Sequence, residues 1–304
     1  MNKNIYKYSS PDIIDKMFTD ELVNLKCTFP KDYNDPYELF LSINPHGIDL
    51  KYIAYYQEIL SDIPQLPTTC FSHSPIVVPM WAHYARDHSG FVIEVDEEKL
   101  AAAFPESTIQ DIAYSAQTGT VDLEVVKYAC ITAKPRHTYR VIHMAFNNAY
   151  FTKNECWGYE KERRVVLNKG IVLGADNIML MQIPSNIISS IILGPKANST
   201  LINNANSISK NIGCKLYRMA VGRSSCIPYF FNKENKSYVF DGEKISPSER
   251  FCIDCKEPIY EASTINKCHW CSVDEVLQYY ASSRNPLRML HNIGMLEDYI
   301  NMGK

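Results

Sequence analysis

The chain is predicted to fold as a mixed α+β protein carrying a small metal-bound module near its C-terminal end. Three observations predict it. Short β-branched and aromatic runs mix with amphipathic stretches, but without the regular strand–helix–strand rhythm of a doubly wound sheet. The 304 residues are 46% hydrophobic, enough for one large core beside a smaller unit. Four of the ten cysteines gather between Cys252 and Cys271. The division expected from these features is residues 1–245 as one domain and 246–304 as a zinc-ribbon and helical module.

The elements follow in order. Ile5–Tyr8 is an apolar-aromatic run that reads as a first strand. Ser9 or Ser10 then caps a helix with Pro11 at its first position, and Ile13, Ile14, Met17 and Phe18 share one helical face. Leu22–Cys27 reads as a second strand. Residues 30–38, PKDYNDPYE, form a turn-rich loop in which Asn34 and Asp35 initiate and Pro36 fixes φ. Leu50–Leu60 has helical spacing, and Thr68–Ser72 is a short strand. Met80–Ala85 starts a helix, Arg86–Gly90 turns, and Phe91–Val95 is a strand.

Glu97–Phe104 reads as a helix and Ile112–Tyr114 as a short strand. Asp122–Tyr150 carries helical patterns broken at Pro135. Trp157–Leu167, WGYEKERRVVL, reads as a strand entering a core, because Val165, Val166 and Leu167 are strand formers. Ile178–Ile183 and Ile187–Leu193 are further apolar segments. Ser199–Ile212 is a helix closed by Gly213, and Lys215–Ala220 is a last strand. Pro228–Pro247 is a linker or hairpin, and Val273–Asn301 holds one or two short helices.

Charge and motifs exclude several classes. Net charge is −3 and the pI about 6.3, so nothing global points to nucleic acid. A local basic stretch does exist: Lys134, Arg136, His137, Arg140 and His143 lie beside aromatic residues. No run of about 18 apolar residues offers a membrane span, and the N-terminal ten residues lack the apolar centre of a secretion signal. The expected location is cytoplasmic. No G-x-G-x-x-G, nucleophile elbow or HExxH occurs.

Two constellations carry chemistry. Cys252-x-x-Cys255 and Cys268-x-x-Cys271 are two knuckle pairs separated by twelve residues, a spacing that suits tetrahedral zinc. Four sulfurs leave no open coordination position, so the metal is structural. The second constellation is Glu160, Glu162 and Arg164. Alternation along a strand puts these three on one face and Tyr159, Lys161 and Arg163 on the other. That face is either a site or a solvated strand edge.

Several separated segments together resemble a widespread bacterial family described as a domain of unknown function. They are Ile5–Tyr8, Asn34–Glu38, Met80–Ala85 with Gly90–Val95, and Trp157–Arg163, followed by Ile191–Gly194. The resemblance covers roughly residues 1–220 and gives no activity by itself. The order of elements also resembles the ADP-ribosyltransferase fold, a split mixed sheet with surrounding helices. That resemblance implies NAD as substrate, with Glu162 and Glu160 catalytic. It implies Tyr6, Lys7, Tyr8, Trp81, His83, Tyr84 and Arg164 as residues holding NAD. The first strand lacks the His or Arg that such enzymes carry, and their usual middle-strand motif is not plainly present.

The expected function is an NAD-dependent ADP-ribosyltransferase toxin of an anti-phage or toxin–antitoxin system. It would modify RNA or DNA in preference to protein, and an antitoxin is a possible partner. The alternative is a non-catalytic nucleotide- or RNA-binding module stapled by zinc. A metal-dependent nuclease using Asp35, Glu38, Glu160 and Glu162 is a third option, which needs those acids to converge.

Overall fold

The computed structural model describes residues 4–19, 21–33, 35, 47–61, 63–116, 121–174, 177–259 and 266–302. The chain divides into two compact units, Met1–Met219 with Phe240–Ile245, and Ala220–Val239 with Ser246–Lys304. Residues 220–239 thus join the C-terminal unit. Both α and β structure run through the first unit, so the mixed α+β class holds.

In the first unit the strands are β1 (Asn4–Ser9), β2 (Leu22–Cys27), β3 (Thr68–Ser72), β4 (Phe91–Asp96), β5 (Thr108–Asp111), β6 (Ala113–Ser115), β7 (Thr152–Asn154), β8 (Glu162–Val166), β9 (Ile171–Leu173), β10 (Met179–Pro184), β11 (Ile188–Leu193) and β12 (Lys215–Ala220). The helices are α1 (Ile14–Met17), α2 (Leu50–Ser61), α3 (Val78–His83), α4 (Glu97–Ala103), α5 (Leu123–Thr132), α6 (Pro135–Phe151) and α7 (Ser199–Ile212). Within this unit the main sheet runs β12-β11-β4-β1-β3-β8-β5, and a second sheet runs β2-β10-β9. Only β11 and β12 pair in parallel in the main sheet; α7 is their crossover, capped by Asn198 and ended by left-handed Gly213.

The core lies where the two sheets face each other. Ile5, Phe71, Phe91, Ile93, Val95 and Val165 of the main sheet pack in one cluster with Val23, Leu25, Met181 and Ile183 of the second. A separate cluster joins α2, α5 and α6 through Tyr56, Ile59, Val126, Ala129, Val141 and Ala145. The break between α5 and α6 lies at Ala133, a left-handed residue, followed by Pro135 at the first position of α6.

The turn before β4 is unusual. Arg86, Asp87 and His88 all have positive φ, at 46°, 52° and 69°. Backbone bonds hold the turn: Asp87 N–H donates to Ala82 O, His88 N–H to Trp81 O, and Gly90 N–H to Ala85 O. Gly194, at the end of β11, donates to Gly90 O. A Cβ at Gly90 would lie 2.2 Å from Ser9 O, and one at Gly194 would lie 2.2 Å from His88 O. Backbone fills the space that a side chain would need at both positions.

In the C-terminal unit, β13 (Tyr229–Phe231) and β14 (Ser237–Phe240) form an antiparallel hairpin, followed by β15 (Ile245–Pro247). After the cysteine module come α8 (Glu275–Ser283), α9 (Pro286–Asn292) and α10 (Leu296–Met302). Three helices replace the expected one or two. Asn285 caps α9 ahead of Pro286, and Gly294, at φ 73°, turns the chain before α10. Among the described residues no helix is long and apolar enough to cross a membrane.

Candidate active site

The site is an opening in the main sheet. β1 pairs with β4 along its whole length, from Asn4↔Asp96 to Ser9↔Phe91. With β3 it shares a single register pair, Tyr6↔Ser72. Where that pairing stops, β1 and β3 both line a cavity of about 890 Å³ that also reaches β2, β8 and α1. Such a volume suits a small-molecule or cofactor ligand. Lys7 reaches across the opening, its Nζ donating to Thr69 Oγ1 at 2.8 Å and to the Cys70 carbonyl at 3.1 Å.

Glu160 and Glu162 both enter this cavity, by a route the sequence pattern does not suggest. Trp157–Glu160 is not strand: Glu155–Glu160 is a 3-10 turn, with Asn154 Oδ1 accepting from Cys156 N–H at its start. Lys161 is left-handed, at φ 47°, and β8 begins only at Glu162. From Glu162 onward the alternation holds. Glu162 and Arg164 are buried on the cavity face. Arg163 lies on the other face, paired with Glu97 at 2.6 Å and Asp111 at 3.0 Å.

Two carboxylates and two cations form one buried network. Lys153 Nζ lies 2.7 Å from Glu160 Oε2 and 3.2 Å from Glu162 Oε2. Arg164 binds Glu162 Oε1 through Nε at 2.8 Å and Nη2 at 2.7 Å, while its Nη1 donates to Tyr150 O. The guanidinium also stacks over the Tyr33 ring, 4.9 Å from its centroid. Tyr84 Oη donates to Glu160 Oε1 at 2.6 Å.

These contacts set the charges. Burial pushes the Glu162 carboxyl up, but Arg164, Lys153 and hydrogen bonds from Cys70 and Arg164 outweigh it and hold it at about 2. Glu162 is therefore an anion at neutral pH. Burial, then the bond to Glu160, raises the Tyr84 phenol, and burial holds the Lys7 amine below the usual lysine range.

The structure gathers most of the expected residues and removes two. Tyr6, Lys7, Tyr8, Tyr84, Glu160, Glu162 and Arg164 all line the cavity. Tyr6 and Tyr8 serve as wall: their hydroxyls donate to Glu94 Oε1 and to Ser74 O. Trp81 does not line it. It is fully buried, its indole N–H donates to Pro75 O at 2.8 Å, and its ring meets Tyr8 edge-on. His83 is exposed at the end of α3 and is also absent from the lining. The short helix explains both placements: α3 buries Met80 and Trp81 and leaves His83 exposed. Among the aromatics, Trp157 lines the cavity instead, with Lys153 Nζ 4.7 Å above its ring.

Asp35 is buried and lines the cavity, while Glu38 lies outside the described residues. Among the described residues, the four cysteines are the one group of three or more His, Cys, Asp or Glu placed to hold a metal. Among the described residues, Asp35, Glu160 and Glu162 are not part of such a group. Sequence reasoning missed Lys153, which bridges the two glutamates, and Lys16 and Lys26, which also line the cavity. No pattern marks Lys153. It precedes the 3-10 turn, and only the fold brings it back to Glu160 and Glu162.

In the C-terminal unit the Sγ atoms of Cys252, Cys255, Cys268 and Cys271 all lie within 4.8 Å of one another. Cys255 and Cys268 are 3.7 Å apart. Tetrahedral zinc with bonds of about 2.3 Å separates its sulfurs by about 3.8 Å, so the cluster fits zinc. Each pair sits on a tight knuckle: Lys256 N–H donates to Cys252 O and Ser272 N–H to Cys268 O. Bound there, the ion would cross-link two loops and supply no catalysis. The other six cysteines, Cys27, Cys70, Cys130, Cys156, Cys214 and Cys226, form no disulfide among the described residues.

Residues 80–165 match the model of a family described as Protein of unknown function (DUF2971). The DUF2971 segment runs from within α3 into β8 and contains Tyr84, Lys153, Glu160, Glu162 and Arg164. The resemblance to a domain of unknown function thus holds over this stretch. No curated protein and no solved structure matches the chain.

Proposed function

We propose that the cavity binds NAD and that the protein transfers its ADP-ribose to an acceptor, as a toxin of an anti-phage or toxin–antitoxin system. One observation carries this reading. Segments far apart in the chain bring Tyr6, Lys7, Tyr8, Tyr84, Glu160 and Glu162 to one cavity large enough for a dinucleotide. The single register pair between β1 and β3, beside the cavity, supports this reading.

The chemistry follows from the charges. The bond between nicotinamide N1 and ribose C1′ breaks, and its electron pair returns to the pyridinium ring. The sugar becomes oxocarbenium-like, as in glycoside cleavage. Glu162, an anion held in place by Arg164 and Lys153, would stabilise that positive charge without changing protonation state. The acceptor's nucleophile then bonds to C1′, and Glu160 would take its proton. Tyr84 and Trp157 line the cavity and would offer aromatic surfaces to nicotinamide.

A nucleic-acid acceptor is favoured over protein by α6. Lys134, Arg136, Arg140 and His143 are exposed on it or at its cap, and Tyr139 packs edge-on to His143. Exposed Leu277, Tyr279, Leu287 and Met289 on α8 and α9 are the surface we assign to an antitoxin. A second reading, a nucleotide- or RNA-binding module without chemistry, is favoured by one fact. Both Glu162 oxygens are already bonded to cations, as in a structural ion-pair network.

Incubation with labelled NAD and total RNA, DNA or protein separates the two. The transferase labels one class, and the Glu162→Gln protein does not. Equal labelling by that variant removes Glu162 from the chemistry. In bacteria, toxicity lost only in Glu162→Ala supports the enzyme, and equal tolerance of both chains supports the module.

A further inference from the structure

The cavity contains five cations, Lys7, Lys16, Lys26, Lys153 and Arg164, and two of them are already paired with carboxylates. Arg164 is fully buried and binds Glu162 and Tyr150 O. Lys153 bridges the two glutamates. Lys7 is tied to Thr69 and the Cys70 carbonyl across the sheet opening. Arg163, the other guanidinium of the segment, faces away toward Glu97 and Asp111. Glutamates thus neutralise Arg164 and Lys153, while uncharged acceptors anchor Lys7 at the sheet opening.

Lys16 and Lys26 remain. Both are exposed, both line the cavity, and neither forms an ion pair among the described residues. The fold holds them on one rim. β2 turns Val23, Leu25 and Cys27 into the core, which sends Asn24 and Lys26 to the opposite, cavity-lining face. Six register pairs with β10, from Leu22 to Cys27, fix that strand. The Asn24 amide donates to Lys16 O at 3.1 Å and Gln182 donates to Asn24 Oδ1 at 3.0 Å, so the α1 end is tied to the same strand.

We propose that Lys16 and Lys26 form an anion subsite on the α1–β2 rim of the cavity, taking a diphosphate. This rests on the reading of the cavity as a dinucleotide site and assigns the part of the ligand that Arg164 cannot hold. Two ammonium groups on one rim suit a diphosphate, whose oxygens spread charge over two phosphorus centres. Glu160 and Glu162 enter the same cavity from the β8 side, so one ligand meets cations at its phosphates and carboxylates at its sugar.

The probe is inorganic pyrophosphate, titrated calorimetrically into the full chain. Wild type binds it, and binding weakens as salt rises. The Lys16→Gln/Lys26→Gln double variant binds at least about tenfold more weakly, with its thermal midpoint unchanged because both side chains are exposed. Lys210→Gln, on α7 and outside the cavity, binds as wild type does. Glu162→Gln keeps pyrophosphate binding while losing transfer. Wild type that takes up no pyrophosphate, or a double variant that binds it as well as wild type, overturns the subsite. Lysine-dependent pyrophosphate binding without any NAD cleavage leaves the subsite standing and removes the transferase reading.

Discussion

Glu162→Gln is the perturbation whose size the structure sets most directly. The carboxyl lies at about 2 in the fold against 4.5 for a free glutamate. At 1.36 kcal/mol per unit, its ionised form stabilises the fold by roughly 3 kcal/mol. The folded value is the lower one, so this stabilisation is complete above about pH 4.5. It fades as pH falls toward 2. An amide in its place leaves the Arg164 guanidinium buried without its anion, a loss of about 3–5 kcal/mol for a broken buried pair. Both routes give a few kcal/mol at pH 7. Urea unfolding of wild type and variant at pH 7, 5, 4 and 3 is the assay. The difference should be a few kcal/mol at pH 7 and shrink through the acid range. A difference below about 1 kcal/mol, or one that is flat with pH, refutes the ion-paired burial of Glu162.

Three further outcomes are expected. Gly194→Ala drives a Cβ to within 2.2 Å of His88 O and should cost about 2 kcal/mol or more by thermal unfolding. Tyr84→Phe removes the 2.6 Å bond to Glu160 and leaves that carboxylate short of a donor, costing about 1–3 kcal/mol and lowering transfer. The purified protein should contain one zinc per chain by elemental analysis, on the four-cysteine cluster. Cys268→Ser should lose the metal, and a chelator should do the same to wild type.

Periodic features were the legible part. The alternation of Glu162, Arg164 and Val166 against Arg163 and Val165 along β8 is readable without coordinates, as are the break at Pro135 and the cysteine knuckles. Trp157–Glu160 was not, because a 3-10 turn and a left-handed Lys161 reverse direction within few residues while leaving Glu160 on the cavity side. Trp81 misled because a tryptophan near tyrosines reads alike as wall or core. Its indole N–H finds Pro75 O, a backbone partner that composition cannot display. Lys153, Lys16 and Lys26 lay hidden for the same reason: long polar side chains carry no periodic signal, and only tertiary folding decides which cavity they reach.

The most direct measurement follows nicotinamide release from NAD by the full chain, with NAD affinity measured alongside. The account predicts that wild type binds NAD and releases nicotinamide. Glu162→Gln, folded under the same conditions, should bind NAD within about threefold and release nicotinamide at least about a hundredfold more slowly. Equal release by both proteins, or no NAD bound by wild type, contradicts it.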